Sequence, residues 1–162
     1  MALVNGQKKL KTEIMSYVKI WVHLVFSTKN RIPFLLKEPR EAVCQHIINN
    51  CYQKEIFLKK INGYDEHLHC LISLGKDQSI AKVSQLIKGE SSFWINKSNI
   101  CRNKFMWQDD YFAVSVSESH VQRVINYINN QEKHHTKKRF SEEVDEFVNK
   151  YGFQLIKDND FG

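Results

Sequence analysis

The chain has 162 residues, 42% of them hydrophobic, which is enough for one packed core and argues against both a disordered chain and a disulfide-stapled miniprotein. Its 24 Lys and Arg against 18 Asp and Glu give a net charge of +6, spread along the chain, which is the composition of a surface that meets a polyanion such as nucleic acid. No apolar run approaches membrane-spanning length and the first residues hold too short an apolar stretch for a signal peptide, so a cytoplasmic protein with no membrane partner is expected.

Residues 1–13 are polar and read as a flexible extension, with residues 14–162 as a single domain. Tyr17 to Phe26, rich in Val, Ile, Trp and Phe, reads as a buried strand, and Lys29-Asn-Arg-Ile-Pro33 follows as a basic turn. From Glu38 to about Gln53 the apolar positions Val43, Ile47, Ile48 and Cys51 recur at helical spacing. Ile56–Tyr64 and His67–Leu74 read as strands, with Asn62-Gly63 allowing a bulge or bend.

Ser79 can cap a helix whose residues Ile80, Val83, Leu86 and Ile87 share a face and which runs on through Ile95. Phe105 to Val116 returns to strand character. Two helices follow, the first with Val121, Val124, Ile125 and Ile128 as its stripe and Ser117 to Ser119 as cap candidates, the second from Ser141-Glu-Glu-Val onward. The order strand, helix, strand, strand, helix, strand is that of an α+β, ferredoxin-like split βαβ unit with an antiparallel sheet and extra C-terminal helices. Cys44, Cys51, Cys70 and Cys101 have no C-x-x-C spacing and read as reduced, mostly buried thiols.

The most informative local pattern is His67-Leu68-His69. In a strand, residues i and i+2 share a face, so both imidazoles project together while Leu68, Cys70 and Ile72 point into a core. That is half of a divalent-metal site, and on its own a pattern that chance also produces. A second constellation lies in Val124-Ile-Asn-Tyr-Ile-Asn-Asn-Gln-Glu-Lys-His-His135, where Tyr127 and Gln131 are i and i+4 on one helix edge, with His134 a further turn along. Gln131 can offer an oxygen to a hard cation, and Tyr127 then lies close enough for its hydroxyl to act as a nucleophile. The ordinary reading, an amphipathic tyrosine and a good helix former, stands beside this one. Of the six tyrosines, only Tyr127 has a possible ligand one helical turn away.

Lys29 and Arg31 after the first strand, Lys88 on the second helix, and Arg102 and Lys104 before the last strand are candidates for neutralising DNA phosphates, each equally readable as solvated charge. Trp107 is a candidate for stacking on an unpaired base, whereas Trp94 reads as core. His23 reads as a structural histidine and His120 as exposed.

Taken in order, Trp21-Val-His-Leu-Val-Phe-Ser-Thr-Lys-Asn-Arg31, His67-Leu-His69, Ile87-Lys-Gly89 with Ser91-Ser92, Trp107-Gln-Asp109 with Tyr111, Ser115-Val116, and Tyr127 with Gln131 resemble the single-tyrosine HUH transposases of small bacterial insertion sequences. The resemblance spans roughly residues 16 to 135. It implies the ferredoxin-like fold, a divalent metal (Mg2+ or Mn2+) held by His67, His69 and Gln131, and Tyr127 as the nucleophile on single-stranded DNA through a 5′-phosphotyrosine link. It also implies a homodimer that binds hairpin ends. A related HUH nuclease (replication initiator or relaxase) and a noncatalytic single-stranded nucleic-acid-binding domain are the alternatives.

Overall fold

Alternation along two strands sets the architecture. In the computed structural model, which describes residues 16–151, β1 (Ile20–Ser27) and β3 (His67–Leu74) run antiparallel at the centre of a four-stranded sheet ordered β2-β3-β1-β4, with β2 (Phe57–Tyr64) and β4 (Phe112–Val116) at the edges. Every pairing is antiparallel, and the helices α1 (Lys37–Gln53) and α2 (Ile80–Lys97) join the strands in split βαβ order, which is the expected ferredoxin-like fold.

One face of the sheet presents Leu24 and Phe26 of β1 with Leu68, Cys70 and Ile72 of β3, all fully buried or nearly so, against Val43 and Ile47 of α1 and Val83, Ile87 and Ile95 of α2. The other face carries the intervening residues, Trp21, His23, His67, His69 and Leu71, and is covered by α3 (Val121–Asn129), α4 (Gln131–His135) and α5 (Phe140–Tyr151). Because successive side chains alternate across a strand, this one stretch of β3 supplies a hydrophobic core to one side and imidazoles to the other.

The elements follow the sequence with instructive exceptions. Ser79 caps α2, its Oγ accepting from the Lys82 N–H at 3.2 Å. The irregularity in β2 falls between Leu58 and Lys60, while Asn62 and Gly63 pair regularly with His69 and Leu68. The strand expected from Phe105 begins only at Phe112: Phe105 and Trp107 are buried, but the segment touches the sheet through a single Thr28–Trp107 bridge, and Asn96 of α2 ties it down by accepting from the Phe105 N–H and donating to the Phe105 carbonyl. The helix expected through Tyr127 and Gln131 is broken at Asn130, whose φ of −96° and ψ of 20° end α3 and begin α4. The four cysteines are free thiols, and burial pushes the Cys44 thiol up to about 12. The expected extension at residues 1–13 lies outside the described residues. No described helix is long and apolar enough to cross a membrane.

Three contacts seat the C-terminal helices on the sheet. Asn62 Nδ2 donates to the Ile128 carbonyl at 3.0 Å and toward the Asn129 carbonyl at 3.4 Å, satisfying acceptors that the end of α3 leaves open. Arg40, buried in α1, donates to the Leu35 carbonyl and pairs with Asp65 and with Glu132 of α4 at 2.7 Å. Trp21 Nε1 donates to Glu118 just before α3.

Gly63 lies where β2 meets the start of β3. A Cβ there would sit 2.1 Å from the His67 carbonyl oxygen and 2.9 Å from Leu68 Cα, both backbone atoms with no freedom to swing away. Gly63→Ala is therefore expected to lower unfolding free energy by about 1–3 kcal/mol or more, the usual cost of overpacking. Urea unfolding measures this, and a variant as stable as the parent would show that the hairpin can shift without cost.

Candidate active site

His67 and His69 leave β3 on the same face and are both fully buried. Each ring is held by a partner on its Nδ1 side. His67 Nδ1 lies 2.9 Å from Glu66 Oε1, and His69 Nδ1 lies 2.9 Å from His23 Nε2. A carboxylate can only accept, so His67 carries its proton on Nδ1, and its Nε2 lone pair faces inward. With His69 donating through Nδ1–H to His23, its Nε2 is likewise an open lone pair, buried and without a hydrogen-bond partner. This is the arrangement in which a second shell orients imidazoles for a metal.

The two inward nitrogens meet groups from the C-terminal helices. Gln131 Oε1 is 3.3 Å from His67 Nε2 and 3.1 Å from His135 Nε2, and Gln131 is fully buried. Glu143 of α5 enters the same space, with Oε1 3.3 Å from His69 Nε2 and Oε2 3.1 Å from His135 Nε2. The phenol of Tyr127 donates to Glu143 Oε1, and its oxygen is 3.5 Å from His134 Nε2. Its ring lies edge-on to His69, with centroids 5.5 Å apart. A cavity of about 210 Å³ opens onto Tyr127 and Glu143 and is also lined by His23, Arg123, His134 and Lys150.

The electrostatics follow from burial. Desolvation, aided by His69, pulls His23 down to about 3, and desolvation aided by the other imidazoles pulls His69 well below its usual value. His135 falls to about 4 by burial and the neighbouring His67. Glu143 rises to about 7 because burial disfavours its charge. Burial thus favours neutral His69 and His135 beside a carboxylate that lacks compensating charge. The ligand atoms of His67, His135 and Glu143 lie within 4.8 Å of one another, and together with the partnerless His69 nitrogen and the Gln131 oxygen they form a donor set that fits a divalent cation.

All four residues singled out by sequence, His67, His69, Tyr127 and Gln131, thus converge within one chain. The basic candidates do not. Arg102 and Lys104 are exposed between α2 and β4, away from the imidazoles. Lys88 donates to the Asp109 carbonyl at 2.7 Å, and burial lowers its pKa. Lys29 is 3.6 Å from Asp109, and Arg31 places its guanidinium 5.2 Å from the Phe140 ring, which itself stacks on His67. Arg31 thus reaches the ring that covers His67.

The family model described as Transposase IS200 like matches residues 16–131. This chain belongs to that family. It is therefore a transposase, a DNA-cleaving enzyme by family. A candidate transposase from Deinococcus radiodurans R1 has a similar crystal structure, with a TM-score of 0.59 and 22% identity over 72% of this chain and 95% of that one. A REP-associated tyrosine transposase bound to a REP hairpin gives a TM-score of 0.57 and 18% identity over 75% and 72%. At such identities both likenesses speak for the fold. No curated protein matches the chain.

Four residues of this transposase's site were not expected from sequence. Glu143 and His135 enter the ligand cluster, His23 orients His69 and Glu66 orients His67. His23 had a readable signal, since β1 alternation puts it on the Trp21 and Val25 face. Glu143 had a fainter one, because Phe140 and Val144 bracket it on what should be the apolar stripe of α5.

Folded His23 stays neutral where the unfolded imidazole charges, so its contribution to stability is complete above pH 6.5 and is lost as pH falls from there toward 3. In chelator, the stability of the transposase should therefore fall with acidification below pH 6.5. His23→Gln should reduce that slope by up to about 1.4 kcal/mol per pH unit. Urea unfolding between pH 7.5 and 5 measures this, and equal slopes would mean that His23 titrates as if exposed.

Proposed function

We propose that this transposase cuts and rejoins single-stranded DNA with Tyr127 as nucleophile and with Mg2+ or Mn2+ held by His67, His69 and Gln131. The observation that carries the reading is the convergence of the Tyr127 hydroxyl, the Gln131 oxygen and two oriented imidazoles on one buried space. A cation bound there would stabilise negative charge on the nonbridging phosphate oxygens.

The protein's part is positioning, which phosphoryl transfer demands above all. Glu66 and His23 fix the imidazoles. Glu143, already accepting from the phenol, is placed to take its proton, with His134 beside it. The Tyr127 oxygen attacks phosphorus and the P–O3′ bond breaks, leaving a 5′-phosphotyrosine and a free 3′-hydroxyl. Attack by a 3′-hydroxyl on that link reverses the step and joins strands. The energy of the broken ester is kept in the link, so no nucleotide cofactor is consumed. Arg123 and Lys150 line the opening by which a phosphate would reach Tyr127.

The substrate in this reading is an element end folded into a hairpin, the kind of DNA that the similar REP-associated protein holds. Lys29, Arg31, Lys88, Arg102 and Lys104 are proposed to favour that DNA through their positive charge. The protein is proposed to act as a homodimer in the cytoplasm, as one domain spanning residues 14–162.

Tyr127→Phe is expected to keep hairpin binding and to lose the denaturation-resistant protein–DNA adduct, read on gels with labelled single-stranded ends and manganese. An adduct that persists removes Tyr127 from the role. His67→Ala should lose the adduct together with metal binding measured by calorimetry. On the reading that one chain supplies both the imidazoles and the tyrosine, mixing Tyr127→Phe with His67→Ala should not restore adduct formation. Recovery would show that subunits exchange their tyrosine helices.

A further inference from the structure

A groove of about 360 Å³ lies on the far side of the fold from the imidazoles, between α2 and the segment that leads into β4. Its α2 wall is the stripe Ala81, Ser84, Gln85, Lys88, Gly89 and Ser92, positions that share a helix face and are mostly small. Opposite stand Met106, Trp107, Gln108, Asp109 and Tyr111, with Trp107 held rigidly by donating Nε1–H to buried Ser91 at 2.9 Å and by edge contacts with Phe26 and Phe105.

Two features of the groove cost stability and have no internal explanation. Gly89 lies in the middle of an 18-residue helix, where glycine costs roughly 1 kcal/mol relative to alanine, yet a Cβ there would meet nothing within 4 Å. Close packing does not require it; it keeps the groove open. Ser84 is buried in that wall, and its Oγ has no hydrogen-bond partner among the described residues, a further cost of a small residue at this place.

We propose that this groove holds one unpaired nucleobase of the DNA substrate, a proposal that rests on the single-stranded reading above. A flat heterocycle with polar edges suits aromatic and methionine walls together with the Gln85 and Gln108 amides. A phosphate suits the groove poorly: the Lys88 ammonium is already engaged by the Asp109 and Asp110 carbonyls, and the Asp109 carboxylate borders the opening. Gln108 and Tyr111 also line a second cavity of about 400 Å³, shared with Asn30, Arg31, Asp110, Phe112 and Phe140, and Phe140 stacks on His67 at 4.0 Å.

The test compares wild type, Gly89→Met and Gly89→Ala in chelator, so that neither cleavage nor metal enters. Binding is read by fluorescence anisotropy with a short mixed-sequence single strand and with an abasic strand of the same length. Wild type should prefer the base-bearing strand. Gly89→Met, whose side chain fills open space and removes a helix glycine, should lose on the order of tenfold of that preference and keep its affinity for the abasic strand. Gly89→Ala should melt higher and keep most of the preference. Strands carrying 5-iododeoxyuridine should photocrosslink to Met106, Trp107 or Tyr111 in wild type and not in Gly89→Met. A Gly89→Met protein that retains the base preference and the crosslink overturns the groove alone. Wild type that binds neither strand overturns the single-stranded reading and the groove with it.

Discussion

The structure depends on the two-residue period of β3. His67 and His69 can be buried only because Leu68, Cys70 and Ile72, pointing the other way, anchor the strand between α1 and α2. A slip of one residue would exchange the two sets, putting imidazoles in the hydrocarbon core and apolar groups at the site. Register is therefore enforced from both faces, and the position of the two Nε2 atoms inherits the rigidity of a central strand paired on both edges.

Burial then dictates the rest of the site. Imidazoles removed from water favour the neutral form, and neutral imidazoles need their N–H groups satisfied. Glu66 and His23 meet that need on the Nδ1 side and leave the Nε2 lone pairs with nothing on this face of the sheet to accept from. The helices bring what is missing: a carboxamide oxygen, a carboxylate and a phenol. Glu143 illustrates the balance. Its carboxyl rises to about 7 for lack of compensating positive charge, and a divalent ion would reverse that by supplying the charge.

Much of this was legible in the sequence. Alternating strands, the Ser79 cap and the element order gave the split βαβ topology, because each depends on short-range periodicity that one chain displays. The His-x-His spacing located half of the site for the same reason. What the sequence hid depends on how elements pack. Phe105–Trp107 has strand composition but is buried by hydrogen bonds to a helix side chain, with only one bridge to the sheet. Glu143 is a first-turn acid like many others, and only docking of α5 over β3 turns it inward. Lys88 donates to the Asp109 carbonyl, a tie across to the segment before β4 that helical spacing does not display.

The break at Asn130 shows why helical spacing alone underdescribes the site. In one continuous helix, Tyr127 and Gln131 would stand one above the other on the same edge, each limiting where the other could reach. Ending α3 at Asn129 frees carbonyls to which Asn62 of β2 donates, and it lets α4 start on a new line held by the Arg40–Glu132 pair. Gln131 is then fully buried between His67 and His135, while Tyr127 remains half-buried beside a cavity that opens to solvent. A ligand for a metal profits from exclusion of water, and a nucleophile must meet an incoming strand. The interruption lets two residues four positions apart satisfy both demands.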